Sequence, residues 1–383
     1  MDFKEHPMIG IISPIAEKQR TSGIILSHLA LILDRVNHGN LLIIGGNVDA
    51  SDYDPFTIHT VKYIKSKLLI YRVVNFCHLQ AIISCQILKL RSKVDSWVFF
   101  VGGSTLLMPV LITKLLRKRS ILMIIGSMEI ECKLHPYIFC DLMIIFKNIN
   151  LYLVNRIVVY SPILIEQWNL EKYRNKISIA RDHFLNFDEF KIKTYVYERN
   201  NLVGYIGRLS EEKGALNFAK SILMLSEGTS ELNFLIGGDG RQHDIIRTYI
   251  QESGLSNVVK LVGWIPHNEL PDYLNRLRLI VMPSYTEGLP NIMLEAMACG
   301  TPVLATPVGA IPDIIKDGET GFLMEDNSPE CITANVIRAL EHPDFEGVAE
   351  RGRALVEREF SFDRATEGWR MVLEETCDEG DGQ

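Results

Sequence analysis

Two glutamates eight residues apart, Glu287 and Glu295, stand in the stretch SYTEGLPNIMLEAMACGTPVLA, residues 284–305 of this 383-residue chain. Pro290 suits the first helical position, because its missing N–H costs nothing there and its φ is already helical. Gly300 suits the position just past a helix end, and Pro302 prevents continuation. The spacing therefore predicts Glu287 on the loop before a helix and Glu295 about one and a half turns inside it. The amides of Gly288, Leu289 and Asn291 then crown a helix N-terminus, which attracts anions. An anion held by backbone amides between two carboxylates is the layout expected for a sugar joined to a nucleotide diphosphate.

A second group precedes it in VGYIGRLSEEKGA, residues 203–215. A strand over Leu202–Ile206 ends at Gly207 and leaves Arg208 and Lys213 on the following loop. Two cations past a strand's carboxyl end suit a diphosphate, with Arg forking onto oxygens and Lys adding a point charge. The structural alternative is a surface pair bridged to Glu211 or Glu212. The next strand runs into Gly237-Gly238-Asp239-Gly240, where Gly238 and Asp239 are candidate ligand contacts, although an ordinary strand-to-helix turn has the same composition. Trp264-Ile265-Pro266 follows a further strand and suits either a nucleobase pocket or the core. In the first half, Ser22-Gly23 sits between a strand over Ile9–Ser13 and a helix from near Ile24, so Gly23 is a candidate for admitting the diphosphate from that side. His28, one turn on, reads as packing.

Those loops need a scaffold. Short apolar runs alternate with helix-length amphipathic segments, which predicts an α/β protein of two Rossmann-like domains facing a cleft. Strands are expected at Ile9–Ser13, Leu41–Gly45, Trp97–Val101, Ile121–Ile125 and Arg156–Tyr160, then at Leu202–Ile206, Asn233–Gly237, Val258–Leu261, Leu279–Pro283 and Pro302–Thr306. The domains are placed at 1–190 and 200–358, with 188–199 as a linker. A helix over 359–376 returns to the first domain, and 377–383 form an acidic tail. Open parallel sheets bind ligands outside the carboxyl ends of their strands, so the chemistry belongs on those loops.

Bulk properties narrow the classes. A content of 47% hydrophobic and 23% charged residues is globular. Seven cysteines without a CxxC pair predict a reducing compartment, and no signal-peptide pattern opens the chain, so a cytoplasmic location is expected. Cys132, His135 and Cys140 lack a fourth partner at a zinc spacing. The 18-residue uncharged run Ser96–Thr113 reaches membrane-span length, but Gly102-Gly103 and Pro109 favour strand, turn and helix. Residues 1–200 carry 25 Lys+Arg against 17 Asp+Glu, and the rest 15 against 30. A basic, apolar first half, densest at Lys114, Arg117, Lys118 and Arg119, suits peripheral contact with an anionic membrane face or a lipid-linked acceptor. No aromatic-interleaved basic motif points to nucleic acid.

GRLSEEKG, the GGDG turn and EGLPNIMLEAMACGTPVLATPVGAIPDIIKDGETGFL resemble the retaining, nucleotide-sugar-dependent glycosyltransferases of family four, which have the GT-B fold. The resemblance is specific over about residues 200–325. It continues more weakly into SGIILSHLALIL and RIVVYSPILIEQW. It implies that Arg208 and Lys213 stabilise the departing diphosphate, that Glu287 binds the donor sugar's hydroxyls and Glu295 the ribose. It also implies that the Gly288 and Leu289 amides hold phosphate beside Pro290, and that Gly23 admits the diphosphate. Many members carry a histidine after the fourth or fifth strand of the first domain. Here MIIGSMEIECKLHPY offers Ser127, Glu129 or His135, and no acceptor-side group is assigned.

The expected reaction moves a sugar from a nucleotide-diphosphate sugar to an acceptor hydroxyl on a sugar or lipid-linked molecule, with retention and without a metal or other cofactor. Asp52-Tyr53-Asp54 is a DxD that could hold a divalent cation, but it lies far in sequence from the other cations. Rival readings are a sugar-nucleotide epimerase of the same fold and a non-catalytic carbohydrate-binding protein. A dinucleotide-dependent dehydrogenase would need G-x-G-x-x-G after a strand with an acid about 20 residues on, which neither half offers.

Overall fold

The computed structural model describes residues 7–14, 21–47, 56–62, 68–134, 139–228 and 232–378. Asp52-Tyr53-Asp54, His135 and the last five residues lie outside that set. The chain forms two compact units, one of Met1–Phe184 with Phe362–Gln383 and one of Leu185–Ser361.

The first unit alternates strands and helices: β1 (Met8–Ser13), α1 (Thr21–Val36), β2 (Leu41–Gly46), β3 (Thr57–Val61), α2 (Leu69–Leu90), β4 (Val94–Phe99), α3 (Leu107–Leu115), β5 (Arg119–Met123), α4 (Met128–Leu134), α5 (Cys140–Leu153), β6 (Arg156–Val159), α6 (Ile163–Gln167) and β7 (Ile177–Ile179). Its seven strands run in the order β3-β2-β1-β4-β5-β6-β7, every pairing parallel. Strands such as LLIIGG at β2 are buried along their whole length, as both faces of a helix-covered parallel sheet require. Right-handed crossovers place α2, α3 and α5 on one face and α1 on the other. Accordingly α2 packs on α3 and α3 on α5, while α1 packs on the C-terminal helix Phe362–Asp378. That helix buries Trp369 completely and reaches β6 and β7. The uncharged run 96–113 is strand, turn and helix.

The second unit repeats the rhythm: β8 (Leu202–Ile206), α7 (Ala215–Gly228), β9 (Asn233–Gly237), α8 (His243–Glu252), β10 (Val259–Gly263), α9 (Leu270–Leu274), β11 (Leu279–Met282), α10 (Asn291–Ala298), β12 (Val303–Ala305), α11 (Ile311–Ile314), β13 (Phe322–Leu323), α12 (Pro329–Leu340) and α13 (Phe345–Glu359). The C-terminal helix is α14. The strand order is β10-β9-β8-β11-β12-β13, again all parallel. From β8 the chain steps outward to β9 and β10, then returns to lie on β8's other side as β11. The β8/β11 boundary is therefore a topological switch point, where neighbouring loops part and leave a crevice. The core beneath it is built from Val203, Phe218, Phe234, Val281, Leu304 and Phe322.

Three expectations are corrected, and three strands are added. The stretch 188–199 is no linker: it buries Phe190, Val196 and Arg199 within the second unit. The Arg199 guanidinium donates to the carbonyls of Thr194, Leu277 and Cys299 and to Thr301 Oγ1, at 2.7–3.0 Å. Burial draws its pKa down to about 10, and these acceptors hold it in place. Pro290 is the N-cap of α10, with extended backbone (ψ 121°), and not its first helical residue. Proline's own φ allows either role, and the helix begins one residue later. Cys132 and Cys140 form a disulfide, their Cα atoms 5.8 Å apart, where a chain of reduced cysteines was expected. The short β3, β7 and β13 join the sheets without an apolar run long enough to announce them. The chain enters and leaves the second unit side by side, since Leu185 N–H donates to the Phe360 carbonyl at 2.9 Å.

Candidate active site

Loops at the carboxyl ends of β8, β9, β10 and β11 carry the predicted residues of the second unit. After β8 the backbone turns at Gly207, makes a short 3₁₀ turn over Glu211–Lys213 and enters α7. This turn aims Lys213 across the switch point at the loop after β11. Lys213 Nζ lies 2.7 Å from Glu287 Oε1, forming an ion pair whose carboxylate side chain is only 7% exposed. Ser284 Oγ donates to the same oxygen at 2.8 Å. Ser284 is itself fixed from β12, because Thr306 Oγ1 donates to its carbonyl at 2.5 Å. Two of the predicted residues thus meet in one charge-assisted contact.

Arg208 stays apart from that pair. Its side chain is 64% exposed, and its nearest carboxylate is Glu212 at 3.4 Å. Its backbone is fixed more firmly than its side chain. The Tyr205 hydroxyl donates to the Arg208 carbonyl at 2.7 Å. Burial, followed by the nearby Glu287 and Glu212 carboxylates, pushes the Tyr205 phenol far above its ordinary value, so it remains a donor. A guanidinium so exposed on a fixed loop is available to an incoming anion.

The GGDG turn is a support for this loop. Gly238 has φ +131°, and a Cβ there would fall 1.8 Å from the Gly207 carbonyl oxygen. Gly240 has φ +156°, and its Cβ would fall 2.3 Å from the Leu209 oxygen. Leu209 N–H donates to the Asp239 carbonyl at 2.9 Å, and Asp239 Oδ1 accepts from Gly240 N–H at 2.8 Å. The glycines that suggested room for a ligand are thus occupied in bringing two backbone loops together.

Glu295 lies just over one turn into α10, largely buried, with its Oε1 2.9 Å from His267 Nε2. The hydrogen bond to Glu295 holds the His267 imidazole above its ordinary value, against the opposing cost of burial. Phe190 meets the ring edge-on at 5.3 Å. Trp264 is 69% exposed, which removes its core reading. Sequence reasoning missed His267, Ser284 and Tyr205. For His267 a signal existed: Trp264-Ile265-Pro266-His267 puts an aromatic and an imidazole on a loop at a strand's carboxyl end. Leu289 and Pro290 are buried, and the Gly288 carbonyl accepts from Ala310 N–H at 2.8 Å, which fixes this loop against the β12 loop.

Gly23 lies in the other unit, in the first turn of α1, where its carbonyl accepts from Ser27 Oγ at 3.0 Å. Ser127 precedes α4 and accepts from Ile130 N–H at 3.3 Å, as a helix cap does. Burial raises the Glu129 carboxyl, but its hydrogen bond and ion pair with Lys147 outweigh that and leave it below the ordinary range. Among the described residues no three His, Cys, Asp or Glu side chains cluster as a metal site.

Residues 186–354 match the family model described as glycosyl transferases group 1. An uncharacterised glycosyltransferase of Methanocaldococcus jannaschii is 28% identical over 175 residues, 45% of this chain and 48% of that protein. The alpha-D-kanosaminyltransferase of Streptomyces kanamyceticus is 29% identical over 202 residues, 51% of this chain and 52% of its own length. The matches thus span about half the length of these curated relatives. Over nearly the whole chain the fold is shared with the Anabaena protein Alr3699/HepE, whose structure was determined with UDP and glucose. The TM-score is 0.75 at 14% identity, covering 96% of this chain and 100% of that one.

Proposed function

We propose that this chain, whose residues 186–354 match the group 1 glycosyl transferases, moves a sugar from a nucleotide-diphosphate donor to an acceptor hydroxyl with retention at the anomeric carbon. The observation that carries this is the Lys213–Glu287 pair at the switch point, with Arg208 exposed on the same loop. Breaking the bond between sugar C1 and phosphate oxygen leaves negative charge on the diphosphate and positive character on the sugar. Arg208 and Lys213 oppose the first, and the Glu287 carboxylate accepts hydrogen bonds from the sugar hydroxyls. Such preorganised donors act where charge develops and cost no reorganisation during reaction.

Retention follows if the acceptor oxygen attacks from the side that the diphosphate leaves. The new bond joins that oxygen to C1, and its proton passes to the departing phosphate oxygen. Glu287 favours this route over a covalent sugar–enzyme intermediate, because Oε1 is already occupied by Lys213 and Ser284. Glu295 serves the donor's ribose diol, displacing His267. The two cations at the diphosphate take the part a divalent metal plays in other transferases, so turnover proceeds in the presence of a chelator. Synthesis of a glycan or glycolipid is the setting that suits this chemistry.

A hydrolysis and transfer screen across UDP-, GDP-, ADP- and dTDP-sugars tests the proposal. Slow release of one sugar with an α-linked donor, and an α-linked product on adding acceptor, is the expected result. Isomerised donor without acceptor would establish an epimerase instead. A glycosyl adduct trapped on Glu287 would replace front-side attack by double displacement.

A further inference from the structure

The α2–α3–α5 layer of the first unit presents a surface that the donor site does not use. On α2 the outward stripe is Ile70, Val74, Cys77, Ala81, Cys85 and Leu88, a spacing that keeps one helix face. All but the half-buried Ala81 are exposed. On α3 the stripe is Met108, Leu111 and Leu115, and on α5 it is Leu142, Ile145, Ile149 and Tyr152. Ile70, Leu115 and Tyr152 are 75%, 80% and 76% exposed. Thirteen of the 22 exposed large apolar side chains among the described residues lie between Leu68 and Tyr152, although the same helices also bury apolar side chains on their inner faces. A helix apolar on both faces needs a second apolar environment.

The charge is one-sided too. Residues 68–153 hold ten Lys and Arg against four Asp and Glu. Two of those acids, Asp95 and Glu129, are paired with Lys118 and Lys147. The exposed cations gather at helix ends: Lys89, Arg91 and Lys93 at the end of α2, Lys114 and Arg117 at the end of α3. Those two ends lead into β4 and β5, which pair directly, so the cations share one edge of the layer. Tyr152 ends the α5 stripe at the approach to β6, with Lys176 5.9 Å over its ring.

We propose that this face docks on a bilayer with anionic headgroups, the apolar stripes entering the acyl boundary and the cations meeting phosphates. By length and composition α2 could cross a membrane, with a third of that window buried. Its Leu79, Ile83 and Ile87 are held within the unit, so it lies along the surface in this arrangement. A second copy of the same face would satisfy the stripes and leave the cations without anions, whereas a bilayer answers both. The docking goes beyond sugar transfer and is measured without any donor present.

The test is co-sedimentation of the full chain with vesicles of phosphatidylglycerol and phosphatidylcholine, or phosphatidylcholine alone, with light scattering for oligomeric state. Binding to the anionic vesicles is expected, with at least tenfold weaker partition for Leu115→Asp/Ile145→Asp. Lys89→Glu/Arg91→Glu/Lys114→Glu should lose the preference for the anionic lipid. All these positions are exposed, and unchanged thermal melts would show the variants folded. Failure of the parent chain to bind anionic vesicles overturns the proposal. So does a parent dimer that Leu115→Asp/Ile145→Asp splits into monomers with vesicle binding unchanged.

Discussion

Replacing Lys213 by Met separates two jobs that the geometry gives to one ammonium. Its first is to neutralise Glu287, whose side chain is 7% exposed and 2.7 Å away. At an effective dielectric near 20, that attraction is about 6 kcal/mol before desolvation is subtracted. Removing one partner of a buried pair costs about 3–5 kcal/mol. Lys213 is 28% exposed and Ser284 remains on Glu287, so about 2–3 kcal/mol is expected. In a unit this size that lowers the melting temperature by about 5–10 °C. Its second job is to oppose charge on the leaving diphosphate, and its loss should lower kcat by about 10²–10³. Adding Glu287→Gln tells the jobs apart. Glutamine removes the unpaired charge, so the melting temperature should recover most of its loss, while kcat stays low. Thermal unfolding and donor hydrolysis on all four members of the cycle provide the measurement. If kcat recovered together with stability in the double variant, Lys213 would serve only to hold Glu287, and the charge-stabilising role would be refuted.

Gly238→Ala should cost several kcal/mol, on the order of a large core defect, because its Cβ meets the Gly207 carbonyl at 1.8 Å. It should also lower donor turnover through displacement of the Arg208 loop, whereas Asp239→Asn should leave the melt nearly unchanged. Arg199→Met should destabilise the chain by about 3–5 kcal/mol in urea titration, since it orphans the buried carbonyls of Leu277 and Cys299 and the half-buried one of Thr194. The His267 pKa is raised by Glu295, so their pairing stabilises fully below the ordinary imidazole value of about 6.5 and fades as pH rises through the raised value. If the ribose displaces His267, donor KM should fall across that rise, and His267→Gln should flatten the KM–pH profile with kcat little changed. A KM independent of pH in the parent enzyme would sink that displacement.

The long β-strands and the residues at their carboxyl ends were legible because buried parallel strands print as apolar runs, and glycine or proline marks where they stop. Glu287 and Lys213 could be placed on facing loops from such signals. Their direct pairing could not, since it depends on β11 returning beside β8, a fact of strand order that no local pattern encodes. The His267–Glu295 contact escaped for the same reason, its partners lying 28 positions apart, although the loop Trp264-Ile265-Pro266-His267 marked the imidazole itself. The GGDG turn carries a further requirement that its composition does not show, because its glycines also accommodate neighbouring carbonyls. Arg199 looked like a linker charge, and only tertiary carbonyls turn it into a clamp.

The hydrogen bond from Leu185 to the Phe360 carbonyl joins the two places where the chain enters and leaves the second unit. Residues 185–361 are thus an inserted cassette with adjoining ends, which could be excised as one continuous piece or grafted between two neighbouring points of another host. The remainder is not so easily shortened. A stop codon after Ser361 would strip α14 and its fully buried Trp369 from the first unit. A unit whose core needs α14 beside its early strands cannot close until Phe362–Asp378 has been made, which leaves the inserted cassette free to form first.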